Sequence, residues 1–328
     1  MFGDMIKDPN KYQFYDYSES EIDFEIVFIV GPSRSGKSSL GRLLGSLQHY
    51  FHVEENWLLL MLPAMCKEGL LSKDAFINMY RACISELVYD TLLMRTTSFR
   101  PTDHSYIYFM KSREEVDFSL KKLQSRADVN QYLESNEVTI VLNLPEINPF
   151  VDLLREVYPS APIIHVIRNP YNIAEDVLEK KWFSDVSLLK PSNRCLLHKY
   201  KYNGCHYYIP HWVGKEQAQK FIKMSESERA YFYGVEQYYL TSQAIAMMNE
   251  SPIFVYYEDL VKDPGGCLNA LVPGFLEGIK TSELLDELSS RACDDSCSKH
   301  FPEVDEKIEV INKYIPHYKD RYCKKKDL

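Results

Sequence analysis

The stretch IVFIVGPSRSGKSSLGRLLGSL, residues 26–47, decides the fold of this chain. It places the pattern G-x-x-x-x-G-K-S, from Gly31 to Ser38, after an apolar run typical of a buried strand and before a helical pattern. The two glycines allow positive φ angles and close backbone approach, so successive N–H groups can converge on phosphate oxygens. A helix starting near Lys37 adds the positive end of its dipole. The stretch therefore predicts a phosphate-binding loop between the first strand and first helix of an α/β domain.

Four short apolar or β-branched runs predict parallel strands. They span 25–30, 138–142, 163–167 and 253–257, and each is followed by a turn signal and a helical pattern. Strands that alternate with helices imply right-handed crossovers and a parallel sheet covered on both faces. We therefore expect an α/β fold of the P-loop type: a parallel β-sheet flanked by helices, with helical and loop insertions.

The whole chain, 1–328, is predicted to form one such domain, with its core at about 24–280. Two polar and aromatic segments of weak periodicity, 97–135 and 183–217, are predicted insertions on the substrate side. Ligands of such folds bind at the carboxyl edge of the sheet, and the insertions are expected to cover that edge. The last segment, 281–328, is predicted to be a C-terminal helical extension.

The charge balance limits the classes of partner. A formal net charge of −9 and a pI of about 5.6 argue against an extended basic surface for nucleic acid or for an anionic membrane. The N-terminal residues lack the basic end and apolar core of a signal peptide, and no apolar run approaches the ~20 residues of a membrane span. We therefore expect a cytoplasmic protein that binds neither nucleic acid nor membrane.

The eight cysteines are scattered, which is typical of free buried thiols in a reducing compartment. Cys293, Cys297 and His300 have helical spacing and could contact one metal ion, but no fourth ligand is evident. The sequence therefore predicts no resident metal.

The phosphate loop taken alone suggests a nucleoside-triphosphate kinase or hydrolase. Such an enzyme needs a carboxylate at the end of a neighbouring strand to hold magnesium. The strand at 138–142 is followed by Asn143, whereas the last strand leads into Glu258 and Asp259, which could serve. Magnesium-dependent phosphoryl transfer with ATP therefore stays open.

Three segments, in order, resemble the sulfotransferases that use the donor PAPS (3′-phosphoadenosine 5′-phosphosulfate). GPSRSGKSS, from Gly31, resembles the family's 5′-phosphosulfate loop, which is typically P-R-S-G-T-T. APIIHVIRNPYNIAEDV, from Ala161, resembles the segment that binds the 3′-phosphate. FVYYEDLVKDP, from Phe254, resembles the Y-E-D-L-x-x-x-P signature near the last strand. Matching residues run from about 24 to 280, and the resemblance implies sulfuryl transfer from PAPS.

The resemblance also implies which residues hold the donor. They are Arg34, Ser35, Gly36, Lys37, Ser38, Ser39, Arg168, Asp176 and Tyr257. Arg168 closes the third predicted strand, where its guanidinium would fork onto the 3′-phosphate. Arg34 and Lys37 are predicted to be catalytic as well, because in-line sulfuryl transfer needs cations on the bridging oxygen.

The acceptor must lose a proton, which requires a base. Glu55 follows Arg34 by 21 residues. The chain here resembles the tyrosylprotein sulfotransferase branch, in which a Glu-Glu pair lies at the same distance and its second member acts as base. Two adjacent carboxylates beside Trp57 could also raise one pKa toward a useful value. Glu55 is the predicted general base, and His52 and His104 are alternatives because other branches use histidine.

Two positions depart from the family's pattern. A Ser that usually contacts the 3′-phosphate, eight residues after the arginine, is replaced by Asp176, whose carboxylate would repel a phosphate unless a cation intervened. The glutamate-base branch has a Lys where this chain has Asn143, and we expect Lys37 to supply the missing charge. Lys180 or Lys181 could compensate for Asp176. A non-catalytic nucleotide-binding relative therefore also stays open.

The acceptor is the least determined part of the function. Residues 200–212, YKYNGCHYYIPHW, are dense in rings suited to stacking on a small ring or a cation, although a packed aromatic loop has the same composition. The acidity of the chain favours a neutral or cationic acceptor over a polyanion. We therefore expect transfer to a hydroxyl or amine of a small molecule.

Overall fold

The computed structural model describes residues 24–54, 56–103, 105–191, 196–272 and 305–323. The strands are β1 (Glu25–Gly31), β2 (Tyr50–Val53), β3 (Thr139–Pro145), β4 (Ile163–Ile167), β5 (Leu197–Tyr202), β6 (Cys205–Pro210) and β7 (Ile253–Tyr256). The helices are α1 (Lys37–Gly45), α2 (Leu58–Lys67), α3 (Lys73–Leu92), α4 (Arg113–Lys122), α5 (Arg126–Ser135), α6 (Val151–Val157), α7 (Pro170–Glu179), α8 (Asp185–Leu188), α9 (Ala218–Lys223), α10 (Glu226–Ile245), α11 (Tyr257–Lys262), α12 (Pro264–Leu271), α13 (Asp305–Tyr314) and α14 (Tyr318–Tyr322).

The central sheet has five strands in the order β2-β3-β1-β4-β7, and every pair is parallel. β1 is the middle strand, so the phosphate loop that follows it leaves from the centre of the sheet. Ile29 pairs with Asn143 of β3 on one side and with Ile164 of β4 on the other. Helices cover both faces of the sheet, and the predicted α/β fold with a parallel sheet is confirmed.

The four strands predicted from apolar runs are all present, but the sheet has one strand more. β2 is a four-residue edge strand, which is too short to show a pattern in the sequence. The segment 183–217 contains the antiparallel hairpin β5–β6. Its turn is Asn203-Gly204, with φ angles of 48° and 80°, which is the residue pair that tight hairpin turns favour.

Helix α10 packs against α6, α7 and α13. It packs against α7, and a Cβ at Gly234 would lie 3.1 Å from the carbonyl oxygen of Pro170, so the two helices approach closely there. α13 and α14, which lie in the predicted C-terminal extension, pack on the same helix. Ile311, Ile315 and Tyr318 are fully buried in that contact. None of the described helices is both long and apolar enough to span a membrane.

Candidate active site

The phosphate loop is fixed by backbone geometry that only glycine tolerates at two positions. Gly31 and Gly36 have φ angles of 138° and 96°. A Cβ on Gly31 would lie 2.6 Å from the carbonyl oxygen of Val166, and one on Gly36 would lie 2.2 Å from the ring of Tyr257. The loop is therefore wedged between β4 and the start of α11, and its backbone conformation is fixed there.

Two side chains form hydrogen bonds with the backbone of the loop. The N–H of Ser33 donates to the hydroxyl of Tyr233 (2.8 Å), and Lys37 Nζ donates to the carbonyl oxygen of Pro32 (2.6 Å). Lys37 is 4% exposed, so its charge is held close to the loop rather than in solvent. Ser35 Oγ is buried and has no hydrogen-bond partner among the described residues, which is uncommon for a buried polar atom.

Asp176 lies between the two arginines predicted to bind the donor. Its Oδ2 is 2.7 Å from a terminal nitrogen of Arg168 and 3.3 Å from Nε of Arg34. The same nitrogen of Arg168 donates to the carbonyl oxygen of Arg34 (2.7 Å). The carboxylate thus does not stand alone as a repelling charge: it bridges two cations.

Arg168 is held by aromatic residues on both sides. Its backbone N–H and C=O both bond the hydroxyl of Tyr238 at 2.8 Å. Its guanidinium lies over the ring of Tyr257, 5.0 Å from the centroid, which is a cation–π contact. Since Tyr257 also packs on Gly36, this one ring contacts both the phosphate loop and the arginine.

A second polar cluster lies on the other side of the loop. Nδ2 of Asn143 donates to Glu54 Oε2 (2.8 Å) and to Ser38 Oγ (2.9 Å), and Ser38 lies 3.3 Å from the same carboxylate oxygen. Sequence reasoning singled out Glu55, which is outside the described residues, and missed Glu54. The signal was the Glu-Glu pair itself, whose first member follows β2 directly.

The histidines near the loop are buried and neutral. His52 packs against Gly41 and Gly45 of α1, and burial lowers the pKa of its imidazole. Burial, with a smaller contribution from the charge of Lys37, lowers the pKa of His165 to about 3. His52 is therefore badly placed to serve as the alternative base, and His104 lies outside the described residues.

The two carboxylates that could have held magnesium in a kinase are engaged in structural contacts. Glu258 accepts from the backbone N–H of Asn169 (2.8 Å) and from the hydroxyl of Tyr322 (2.6 Å). Asp259 forms a bidentate pair with Arg321 at 2.7 and 2.9 Å. In the part of the chain that the structure describes, no group of three His, Cys, Asp or Glu could hold a metal ion. Cys293, Cys297 and His300 lie outside that part.

A cleft of about 240 Å³ opens beside the phosphate loop. Its wall includes Ser33 of the loop, Glu146 after β3, and the three tryptophans of the chain, Trp57, Trp182 and Trp212. Other lining residues come from the segment 183–217, namely Phe183, Ser187, Leu188, Lys190, Leu197, Tyr208 and Pro210. Sequence reasoning missed Glu146, because only the folded chain brings it next to the loop.

A family model described as "Sulfotransferase family" matches residues 26–275, more than three quarters of the chain. The matched region spans the phosphate loop, Arg168 and the segment after β7. The chain belongs to this family of sulfotransferases. No curated protein sequence gives a significant match.

Solved sulfotransferase structures are similar to this one in outline. The sulfotransferase domain of the Synechococcus PCC 7002 olefin synthase is 15% identical, with 92% of this chain and 98% of that chain covered and a TM-score of 0.41. A sulfotransferase from Alicyclobacillus acidocaldarius is 13% identical, with 90% and 96% covered and a TM-score of 0.39. STF1 from Mycobacterium tuberculosis is 15% identical, with 91% and 79% covered and a TM-score of 0.38.

Proposed function

We propose that this sulfotransferase moves a sulfuryl group from PAPS to a hydroxyl or amine of a small-molecule acceptor. The observation that carries the proposal is the junction of two features: a loop built for phosphate, and an aromatic cleft that opens directly beside it at Ser33. The loop suits the phosphosulfate end of the donor, and the cleft has the aromatic and apolar lining of a site for a small molecule.

The donor's residues would divide into two groups. Loop amides with Ser35, Ser38 and Ser39 would hold the 5′-phosphosulfate, while Arg168 would face the 3′-phosphate with Tyr257 beneath it. The hydroxyl of Ser35, which has no partner among the described residues, and the close backbone approach at Gly31 and Gly36 fit such an anion. PAPS, when bound, supplies an activated sulfuryl group.

The chain's own residues would then align and stabilise the reaction. Lys37 and Arg34 would offset the negative charge that develops where the sulfur–oxygen bond to the phosphate breaks. A new bond forms between sulfur and the acceptor oxygen or nitrogen, and the acceptor's proton passes to a carboxylate. We propose Glu55 as that base, next to Glu54, which the structure places 2.8 Å from Asn143.

The matched variants Glu55→Gln and Glu54→Gln test the base. We expect Glu55→Gln to lower kcat by about a hundredfold, within the range for a lost general base, with KM little changed. Glu54→Gln should cost far less, because Asn143 and Ser38 can still hold the neutral amide. The opposite ranking would move the assignment to Glu54.

Donor binding separates this proposal from a nucleotide kinase or a non-catalytic relative. We expect PAP, the 3′,5′-bisphosphate product, to raise Tm in the presence of EDTA, and PAPS to be converted to PAP when small alcohols, phenols or amines are added. Stabilisation by ATP only with magnesium, together with ATP turnover, would instead indicate a kinase. Stabilisation by neither nucleotide would indicate a non-catalytic relative. We also propose that the protein acts in the cytoplasm.

A further inference from the structure

The segment that lines much of the cleft is the basic part of an acidic protein. Between Asp185 and Glu216 the chain has five Lys or Arg residues and no Asp or Glu, although the formal net charge of the whole chain is −9. Asp185, at the start of this segment, pairs with Arg229 (2.5 Å). The overall acidity favours a neutral or cationic acceptor, but a ligand that enters the cleft meets the local charge instead.

The pairing of the hairpin β5–β6 determines which of its side chains share a face with the cleft wall. Leu197, Tyr208 and Pro210 line the cleft, and Leu197 pairs with Pro210. Lys199 pairs with Tyr208, and residues that pair directly or lie two apart along a strand point to the same face. The side chains of Lys199 and Lys201 therefore continue, toward the hairpin turn, the face that lines the cleft.

The opposite face of the hairpin packs on the protein. Ile209 is fully buried, and Tyr200 packs against the same hydrophobic cluster. Lys199 and Lys201 are exposed, which agrees with their place on the other face. The four residues of strand that follow the start of β5 span roughly 13 Å, so the strand that bears these lysines extends the cleft wall by a comparable length.

Three lysines at the cleft and the hairpin have no carboxylate within ion-pair distance in the part of the chain that the structure describes. They are Lys190, which lines the cleft, and Lys199 and Lys201 of the hairpin. An ammonium group without a carboxylate partner leaves its charge to act on nearby solutes, and cleft walls of low dielectric focus the field. The hairpin side of the cleft is therefore positive.

The acidic residue among the described lining residues lies beside the phosphate loop. Glu146 accepts the hydroxyl hydrogen of Tyr233 (2.5 Å), and that hydroxyl oxygen accepts the N–H of Ser33 in the loop. The charges of the cleft are thus separated, with a carboxylate at the loop and lysines on the segment 183–217. Such a separation favours a ligand that places its negative charge at the hairpin and an uncharged reacting end at the loop.

We propose that the acceptor carries an anionic group, separate from the hydroxyl or amine that receives the sulfuryl group, and that the lysines of the cleft and hairpin bind this anion. The apolar body of the acceptor packs on the tryptophans and on Phe183, and its reacting group reaches the loop. A lysine is a point charge, so the class is defined by charge: a small phenol, alcohol or amine with a carboxylate or a similar anion. The inference rests on the proposed function, because it assigns the cleft to the acceptor.

Three phenols of similar size test the charge preference in the wild-type protein: 3-(4-hydroxyphenyl)propionate, 3-(4-hydroxyphenyl)propionamide and tyramine. Calorimetric titration with and without PAP measures their binding without turnover. We expect the propionate to bind about tenfold more tightly than the propionamide, and tyramine to bind most weakly. The preference should shrink to about twofold when ionic strength rises from about 0.01 M to about 1 M, because the Debye length falls from about 30 Å to about 3 Å. Equal or weaker binding of the propionate, or binding of none of the three, would overturn the proposal.

Two double variants separate the position of the charges from the net charge. Lys199→Gln with Lys201→Gln removes two charges from the hairpin, and Lys121→Gln with Lys122→Gln removes the same charge from α4, which supplies none of the described lining residues. We expect the hairpin variant to prefer the propionate by less than about threefold and the α4 variant by about tenfold, as in the wild type. An unchanged preference in the hairpin variant, or an equal loss in both variants, would contradict the proposal.

PAP binding and PAPS turnover, measured in the same samples, separate this inference from the proposed function. Turnover of PAPS with phenols but without a preference for the propionate would overturn the inference and leave the proposed function standing. A preference that the hairpin variant loses, in a protein that binds no PAP, would support the anionic ligand of the cleft and contradict the proposed donor.

Discussion

The two ends of the proposed nucleotide site are built by different means. At the phosphate loop, the shape comes from backbone: Gly31 and Gly36 have no room for a Cβ, and the loop is wedged against Val166 and Tyr257. The arginine cluster consists of Arg34, Arg168 and Asp176, and its shape comes from side chains. The exposed fractions of these side chains are 42%, 18% and 24%, respectively.

The difference teaches what each end can tolerate. A backbone cradle is either present or lost, because a substitution there meets atoms that cannot move. A cluster of partly exposed charges can exchange partners, since water screens it and its side chains can rotate. We therefore expect changes at the loop to abolish function and changes at the cluster to tune it.

The sharpest test of this difference compares Lys37→Ala with Asn143→Ala. Lys37 is buried against the loop and carries the cation proposed to stabilise the leaving oxygen, so its loss should lower kcat/KM by about a thousandfold. Asn143→Ala removes donors to Glu54 and Ser38 but no charge, and should cost about tenfold. Initial rates of PAP formation decide between them, and the opposite ranking would refute the role of Lys37.

A second test breaks the cradle without touching a charge. Gly36→Ala should lower the free energy of unfolding by about 3 kcal/mol, because the new methyl group meets the Tyr257 ring and φ is 96°. Gly69→Ala is the matched control: its φ is 71°, but nothing lies within 4 Å of the added Cβ, so only backbone strain of about 1 kcal/mol remains. Urea unfolding measures both. Equal losses would show that the ring contact is unimportant.

The stability of the protein should also decrease in acid, because His165 of β4 lies near the phosphate loop and is buried in its neutral form. The folded protein holds this imidazole neutral down to a pKa of about 3, whereas the unfolded chain takes up a proton near its ordinary value of 6.5. Stability is therefore present above pH 6.5 and is lost as the pH falls toward 3, by up to about 2 kcal/mol between pH 7 and pH 5.

Urea unfolding of the wild type and of His165→Gln across that pH range checks this expectation. The variant should show the shallower slope, whatever its stability at pH 7, because it has no imidazole to titrate. A parallel pair of slopes would mean that other groups cause the acid sensitivity.

The smallest effect is expected at the arginine cluster. Asp176→Ser removes the carboxylate that bridges Arg34 and Arg168, so PAP should bind about tenfold more tightly while AMP, which lacks the 3′-phosphate, changes less than about twofold. Calorimetric titration of both nucleotides measures the difference. If PAP binding instead weakens, Asp176 orients the arginines for the phosphate rather than competing with it.

The sequence predicts features that depend on local pattern better than features that depend on side chains from distant segments. The glycine spacing and apolar runs gave the loop, four strands and the order of elements, because these depend on local patterns. The short strand β2 was missed because four residues at a sheet edge carry little periodicity. The hairpin at Asn203-Gly204 was missed although its turn pair is a known signal, because its aromatic content was taken for a substrate-side loop.

The candidate site could be proposed from the sequence only where one segment supplies it. Arg34, Lys37 and Arg168 could be named from motifs, but the bridge made by Asp176 depends on two side chains 142 residues apart meeting in space. Glu146 and Tyr233 are 87 residues apart, and no pattern in either segment indicates that they touch. Contacts of this kind arise from packing, which a single sequence does not display.

The C-terminal helices α13 and α14 determine where a recombinant fragment of this protein can end. The family match ends at residue 275, yet Arg321 and Tyr322 hold the carboxylates of Asp259 and Glu258, which follow the last strand. A recombinant fragment trimmed to the matched segment would expose the face of α10 that Ile311 and Tyr318 cover. It would also remove the partners of both carboxylates, of which Glu258 accepts the backbone N–H of Asn169, the residue after Arg168. The boundary of the folding unit lies beyond the boundary of the family resemblance, and expression vectors should retain residues to at least 323.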